Sequence, residues 1–159
     1  MVGQDIGAYI TAEPAQAPSV ITAGAGIDGA EQNGLIVDRL ALPALFQSAE
    51  VEICGITTLA ASATLTITAN VQDGDNSALS DAADYVYDPA GGTGLLAATV
   101  VKTGAVTNGV WKTRLKVNLV RAKRYLRTQI TADLSAAGTD TCAFSATWIF
   151  GGGESVPVA

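Results

Sequence analysis

The sequence predicts an all-β protein: an antiparallel β-sandwich, more specifically a jelly roll of about eight strands, preceded by an extended N-terminal arm. Three observations support this prediction. Apolar and polar residues alternate along several short segments, and none shows the longer period of an amphipathic helix. Clusters of Gly, Pro, Asn and Asp separate these segments at fairly even intervals. The chain has few bulky core residues, with 3 Phe and 1 Met, and many small or β-branched ones.

The first 33 residues form the predicted arm. They include Pro14 and Pro18 and keep neither a strand period nor a helix period. Tyr9 and Ile10 are the first clustered large apolar residues, and we expect them to anchor the arm across the domain or across a neighbouring subunit. The predicted organisation is an arm, a sandwich domain and a short C-terminal tail, at 1–33, 34–152 and 153–159.

The first predicted strands of the domain span 35–40, 50–56 and 64–72. The third has the clearest pattern, because threonines and an asparagine alternate with apolar residues that face inward. Its inward side chains are Leu65, Ile67, Ala69 and Val71. A turn follows at 73–77, and residues 80–85 are predicted to form either a helical turn or a continued loop.

Four further strands are predicted at 95–102, 111–119, 123–131 and 141–150. The last has a regular alternation in which every second residue is apolar and predicted to face the core. Those residues are Cys142, Phe144, Ala146, Trp148 and Phe150. Gly151 to Gly153 then end the strand.

Charge is unevenly placed along the chain. The net charge is −6 in total, with −11 in residues 1–101, where Arg39 is the single base, and +5 in residues 102–159. An acidic chain does not bind nucleic acid through bulk charge. It could instead pair with copies of itself or dock one charged face on a complementary surface.

The strongest charge feature is a basic block that holds seven of the nine bases. Its members are Lys112, Arg114, Lys116, Arg121, Lys123, Arg124 and Arg127. If 110–119 and 123–131 pair as a hairpin, Lys112, Arg114 and Lys116 lie on its outer face, which is extended by Lys123, Tyr125, Arg127 and Gln129. Like charges across a strand pair are destabilising, so we expect a counter-surface. An acidic protein surface is the favoured partner, while nucleic acid and a merely solvated face remain alternatives.

Several classes of chemistry are excluded or unsupported. The chain has no histidine, which excludes the Ser-His-Asp triad, the Cys-His pair and every zinc set that uses His. Cys54 and Cys142 are predicted to be free, buried thiols, with a disulfide left open. The N-terminus lacks the basic and apolar regions of a signal peptide, so we expect synthesis in a cytoplasm.

Three further patterns in the sequence are candidates for sites. Residues 24–29 match G-x-G-x-x-G, but a strand follows too soon for the helix that a dinucleotide needs. The loop Asp73-Gly74-Asp75-Asn76 could hold a cation, which is left open. Asp81, Asp84 and Asp88 lie beside two tyrosines, yet no spacing forces two carboxyls into one cleft. We therefore predict no catalytic, cofactor or metal residue and no enzymatic activity.

Two long stretches resemble the capsid decoration, or cement, proteins of tailed bacteriophages. They are Leu42–Tyr85 (LPALFQSAEVEICGITTLAASATLTITANVQDGDNSALSDAADY) and Leu134–Gly152 (LSAAGTDTCAFSATWIFGG), with the basic-aromatic run Lys123–Arg127 between them. The resemblance implies a small β-domain that binds the outside of an icosahedral capsid and bridges major capsid protein subunits. It also implies self-association as a dimer or trimer and a place on the virion surface, with no contact to nucleic acid or membrane.

The expected contact residues are Tyr9, Ile10, Lys112, Arg114, Lys116, Lys123, Tyr125 and Arg127. Deleting residues 1–20 is expected to leave a folded domain that no longer binds the shell. Reversing Arg114 and Arg127 to Glu is expected to weaken assembly more at low salt. The alternatives are a tail or fibre component and a carbohydrate-binding sandwich module.

Overall fold

The computed structural model of the chain describes residues 9–87, 92–104, 109–135 and 138–153. These residues form ten strands and one short 3-10 turn, Arg39–Ala41. The strands are β1 (Ile10–Thr22), β2 (Glu31–Asn33), β3 (Val37–Asp38), β4 (Phe46–Thr58), β5 (Thr64–Gly74), β6 (Ala83–Asp84), β7 (Leu95–Thr103), β8 (Gly109–Asn118), β9 (Tyr125–Leu134) and β10 (Thr141–Gly153). Within these ranges no helix is long and apolar enough to cross a membrane.

The strands form two sheets in which every pairing is antiparallel. The four-stranded sheet, which we call the front sheet, has the order β1-β10-β4-β8. The other, which we call the back sheet, has the order β2-β9-β5-β6, with β3 also on β9 and β7 also on β5. Long strands from distant parts of the sequence therefore lie side by side, with β4 next to β8 and β5 next to β9.

The alternation seen in the sequence places the core between the sheets. Every second residue of β5 and β10 is buried, including all the inward positions predicted for those two strands. One apolar cluster includes residues of both sheets, and within it the rings of Trp148 and Phe150 stack with centroids 5.4 Å apart. The all-β, antiparallel fold is confirmed, and two sheets around one core are consistent with the predicted β-sandwich.

The predicted arm needs correction in its described part. Residues 10–22 are β1, an edge strand paired with β10 along its length and shifted in register near Pro14 and Gln16. The carbonyl of Ala15 accepts hydrogen bonds from the Leu35 amide at 2.8 Å and from the Thr128 hydroxyl at 3.3 Å. β1 is thus bonded to its own sheet and also to residues beside the opposite sheet. Residues 1–8 and 154–159, at the ends of the predicted arm and tail, lie outside the described residues.

Two local predictions also differ from the structure. The predicted strand at 35–40 is reduced to β3 followed by the 3-10 turn, because the Asp38 carboxylate accepts a hydrogen bond from the Leu40 amide at 3.0 Å and caps that turn. The segment 80–85 takes the loop alternative, with only the two-residue strand β6 near its end.

Candidate protein-docking surface

The predicted basic hairpin does not form, which corrects the single basic face. β8 pairs with β4 in the front sheet, whereas β9 pairs with β5 in the back sheet. Lys112, Arg114 and Lys116 therefore lie on the outer face of the front sheet, here the front face. Tyr125 and Arg127 lie on the outer face of the back sheet, here the back face. The connection between β8 and β9 crosses from one sheet to the other instead of turning back as a hairpin.

A buried arginine explains how that connection crosses. The Arg39 guanidinium donates hydrogen bonds to the carbonyls of Leu119, Ala122 and Lys123, and to that of Phe46. Four carbonyls, of which those of Phe46 and Leu119 are in buried hydrogen bonds, thus gain a charged donor, which holds the loop against the core. Burial is the main cause of the lowered pKa of Arg39. Sequence reasoning missed this role, although a lone base in 101 residues was a signal.

On the front face, the arginine of β8 has its partners within the chain. Arg114 Nη1 lies 3.2 Å from Glu50 Oε1, and Arg114 Nε lies 3.6 Å from Glu52 Oε2. Both glutamates belong to β4, and Glu52 is directly opposite Arg114 in the ladder. Lys112 and Lys116, on either side, are exposed and have no ion pair among the described residues. The front face therefore keeps two cations that are free to meet an acidic partner.

An apolar row crosses the same face. Val20, Ala143, Ile56 and Val110 are consecutive partners across β1, β10, β4 and β8. Their large members are open to solvent, with Val20 68%, Ile56 50% and Val110 79% exposed. Each occupies an outward position, where alternation favours a polar residue, and this break in the pattern was the signal that sequence reasoning missed. Contiguous exposed apolar groups of this kind mark interaction surfaces.

Two shallow grooves flank the charged part of the front face. One, of about 360 Å³, lies along the apolar row and includes Pro18 and the exposed Cys54. The other, of about 560 Å³, lies at the opposite end and includes Ile10, Ile149 and Lys116. Tyr9 and Ile10 are 45% and 42% exposed. Ile10 therefore lies on the predicted contact surface, but as the first residue of β1 and not on a separate arm.

The centre of the back face is a hydrogen-bonded network, while its edge strand β7 carries exposed Leu95 and Val100. Gln129 Nε2 donates to Glu31 Oε1 at 2.7 Å and to Asn33 Oδ1 at 2.9 Å, while Gln129 Oε1 accepts from Asn70 Nδ2 at 3.0 Å. Asn70 Nδ2 and Gln72 Nε2 both donate to Asp84 Oδ1.

The remaining predicted contact residues are also bonded within the chain. Arg127 belongs to the back-face network, since its guanidinium donates two hydrogen bonds to Gln72 Oε1 at 2.9 and 2.6 Å. Tyr125, at the start of β9, has the Arg124 guanidinium carbon 4.9 Å from its ring centroid. Lys123 Nζ lies 3.8 Å from Asp75 Oδ2, and the Lys123 amide donates to Asp73 Oδ2 at 2.8 Å.

The acidic loop after β5 is occupied by its own backbone and by Lys123. Asp81 accepts hydrogen bonds from the amides of Asp75 at 2.8 Å and Asn76 at 3.1 Å, and the first of these is the main cause of its lowered pKa. Among the described residues, no group of three or more Cys, Asp and Glu side chains is placed to hold a metal ion. Asp88 lies outside the described residues.

The glycine motif and the cysteines have structural explanations. Residues 24–29 form a turn between β1 and β2, in which the Asp28 carboxylate accepts from the Gly24 amide at 2.6 Å. Both thiols are free, but they lie on opposite faces of the front sheet. Cys142 is in the core, where burial raises its pKa to about 12. Cys54, predicted buried, is exposed on the front face.

Folding brings together some of the opposite charges that lie far apart in the sequence. Because β4 lies beside β8 and β5 beside β9, bases from the second half of the chain meet acids from the first. Besides the pairs of Arg114 and Lys123, the Arg124 guanidinium donates to the Asp38 carboxylate at 3.0 and 2.7 Å.

Comparison with known proteins gives no further identification. No protein-family model, curated protein or solved structure matches this chain. The surface geometry and the resemblance carried by the sequence are therefore the grounds for a proposed function.

Proposed function

We propose that this protein is a non-enzymatic adhesive that binds the outer surface of an icosahedral phage capsid and bridges major capsid protein subunits. In this proposal it resides on the virion and docks through its front face, using the apolar row together with Lys112 and Lys116. The shell surface that it contacts is partly apolar and partly acidic. No cofactor, nucleic acid or membrane takes part.

The contrast between the two outer faces is the observation that favours this proposal. The polar side chains that cross the back face bond to one another and are suited to solvent. The front face combines exposed valine and isoleucine side chains with two cations that lack ion pairs in the described part of the chain. Protein–protein interfaces likewise combine apolar contacts with charged and polar ones. Many weak contacts of this kind, repeated over a symmetric shell, add up to firm binding.

The strand order also favours a jelly roll as the finer description of the fold. Counting β2 with β3 as one strand and β6 with β7 as another gives about eight strands, which the chain places alternately in the two sheets except for one hairpin. The front order β1-β10-β4-β8 then corresponds to first, eighth, third and sixth, which is the jelly-roll arrangement. We propose the jelly roll on that basis.

Co-sedimentation with capsids tests the function. The purified chain is mixed with capsids of the phage that encodes it, from which the native copies have been stripped. We expect Val110→Asp to weaken binding by about tenfold or more, because a carboxylate replaces the most exposed side chain of the apolar row. Lys112→Glu with Lys116→Glu is expected to weaken binding more at low salt than at high salt.

Matched controls come from outside the front face. Val86 is 69% exposed and Arg127 lies on the back face, so Val86→Asp and Arg127→Glu are expected to bind as the wild type does. Docking should also protect the exposed thiol of Cys54 from maleimide, while buried Cys142 stays unlabelled in both states. If the wild-type protein fails to co-sediment with the capsids, the proposal is refuted. Binding to a glycan array that back-face substitutions abolish would establish the carbohydrate-binding alternative instead.

A further inference from the structure

The loop that joins β8 to β9 is fixed from the inside. The Arg39 guanidinium binds three of its carbonyls, those of Leu119, Ala122 and Lys123. The Lys123 amide donates to the Asp73 carboxylate at 2.8 Å. Because these partners come from other elements of the fold, the loop is held in place before it meets a ligand, so binding through it costs little conformational entropy.

This fixed loop displays an apolar side chain and a guanidinium to solvent. Val120 is 57% exposed and lines the larger groove of the front face together with Lys116. Arg121 is exposed next to it, and its guanidinium carbon lies 4.6 Å from the centroid of the Tyr87 ring. Stacking on the ring orients the guanidinium and leaves the N–H groups at its edge free to donate.

Among the described residues, Arg121 is the arginine whose guanidinium has no oxygen acceptor, since the Tyr87 ring is its partner. An open guanidinium fork is suited to a carboxylate, which accepts two parallel hydrogen bonds from it. The other four arginines have carbonyl, carboxylate or amide oxygens as partners within the chain: Arg39, Arg114, Arg124 and Arg127.

We propose that the Arg121 guanidinium binds a carboxylate of the major capsid protein, while Val120 packs against the apolar residues beside that carboxylate. This inference rests on the proposed function and extends its docking surface from the front face to an end of the sandwich, where the loop connects the two sheets. Because the two surfaces point in different directions, one copy can contact two neighbouring shell subunits, which is what bridging requires.

The charges of the loop favour a carboxylate over the phosphate backbone of a nucleic acid. Its other two bases, Lys123 and Arg124, lie beside Asp75 and Asp38, at 3.8 and 2.7 Å. Phosphate binding depends on several free cations, and this loop keeps a single unpaired guanidinium among the described residues, in a chain of net charge −6. The exposed valine next to that guanidinium adds an apolar contact that a protein segment can use and a phosphate cannot.

Cross-linking on capsids tests the carboxylate contact directly. Arg121→Lys places an amine at this position, and a carbodiimide joins an amine to a carboxylate where the two are in contact. The variant is bound to capsids stripped of their native copies, treated with the carbodiimide and mapped by mass spectrometry. We expect a cross-link from residue 121 to an acidic side chain or the C-terminus of the major capsid protein. Arg127→Lys, the same substitution on the back face, is the matched control and should give no link to the shell.

Loss of the guanidinium fork should also weaken binding. We expect Arg121→Gln to lower the affinity for capsids by about tenfold in co-sedimentation, because two charge-assisted hydrogen bonds are lost. Arg121→Lys keeps the charge without the fork, so its loss of affinity should be smaller. Since the side chain is exposed, both variants should unfold at the urea midpoint of the wild type.

The outcomes separate this contact from the docking function. If Arg121→Gln binds capsids as tightly as the wild type, or if Arg121→Lys gives no cross-link from residue 121 to the shell, the contact is overturned and docking through the front face stands. If the wild type does not co-sediment, both are overturned. A fluorescein-labelled DNA duplex that binds the wild type but not Arg121→Gln would assign the loop to nucleic acid instead.

Discussion

The front and back faces are built from the same kind of strand, yet they treat their polar and apolar groups in opposite ways. On the back face, Gln129 at the centre is only 7% exposed because its amide is enclosed by neighbours that bond to it. On the front face, Val110 is 79% exposed at a position where its strand could as well carry threonine. The centre of the back face is finished within the chain, with exposed Leu95 and Val100 only on its edge strand β7, whereas the front face leaves an apolar row uncovered across all four strands.

The difference teaches where an assembly contact is to be expected. A side-chain amide that already has its partners gains little from a new interface, since burying it exchanges one set of hydrogen bonds for another. Exposed valine and isoleucine side chains gain free energy from any surface that removes them from water. Lysines without an ion pair orient the approaching partner and raise the rate of association. The front face is therefore the one that gains the most free energy when it docks on another surface.

Removing β1 would break the front face most severely. Deleting residues 1–20 takes away most of the edge strand, including fully buried Ala15, whose carbonyl bonds to Leu35 and Thr128. We expect the free energy of unfolding to fall by at least about 3 kcal/mol, a large part of the ~5–15 kcal/mol that domains have. Urea unfolding followed by the fluorescence of the buried tryptophans measures this loss.

Deleting only residues 1–8, which precede β1, is the matched control, and it should leave the urea midpoint nearly unchanged. This expectation reverses the one drawn from the sequence, in which residues 1–20 were dispensable for folding. Equal midpoints for the full chain and the chain that begins at residue 21 would show that β1 is only loosely attached.

The sequence was sufficient where alternation was regular and insufficient where it was interrupted. β5 and β10 could be predicted with their inward residues because each has a long period of two. β1 was missed because its prolines and the register shifts at Gln16 break that period, so only the ladder with β10 shows it to be a strand. The structure also explains Gly34, because an added Cβ there would lie 2.2 Å from the Ala15 carbonyl oxygen of β1.

The candidate site was harder to predict than the fold, for a different physical reason. Pairing β8 with β9 was the simplest assumption for neighbouring strands, but the loop between them is held by Arg39 and crosses to the other sheet. The strand partners of the lysines, and hence the glutamates beside Arg114, depend on that crossing. Nothing in the local sequence specifies it, because Arg39 lies 80 residues before Leu119, whose carbonyl it binds.

Breaking the back-face network should affect stability and leave docking intact. Gln129→Leu removes two donors and one acceptor, so Glu31, Asn33 and Asn70 lose a partner in a partly buried setting. We expect the free energy of unfolding to fall by about 1–3 kcal/mol. Thr147→Leu, an exposed position on the front face, should change it by less than about 0.5 kcal/mol. Urea unfolding measures both, and similar losses in the two variants would contradict the contrast between the faces.

The smallest expected effect is a pH dependence at the edge of the back sheet. The hydrogen bonds from Arg124 to Asp38 are the main cause that lowers the pKa of this carboxyl below 3.8. A lowered pKa means that the pair stabilises the fold fully above the unfolded value and that this stabilisation is lost as the pH falls through the folded value. Asp38→Asn keeps an oxygen for the Leu40 amide but loses the charge. The thermal midpoints of wild type and Asp38→Asn should therefore differ above about pH 4 and converge toward about pH 2. Arg124→Gln removes the other partner, so its thermal midpoint should converge with that of the wild type over the same pH range. A difference in thermal midpoint that stays constant with pH would mean that the ion pair does not cause the difference.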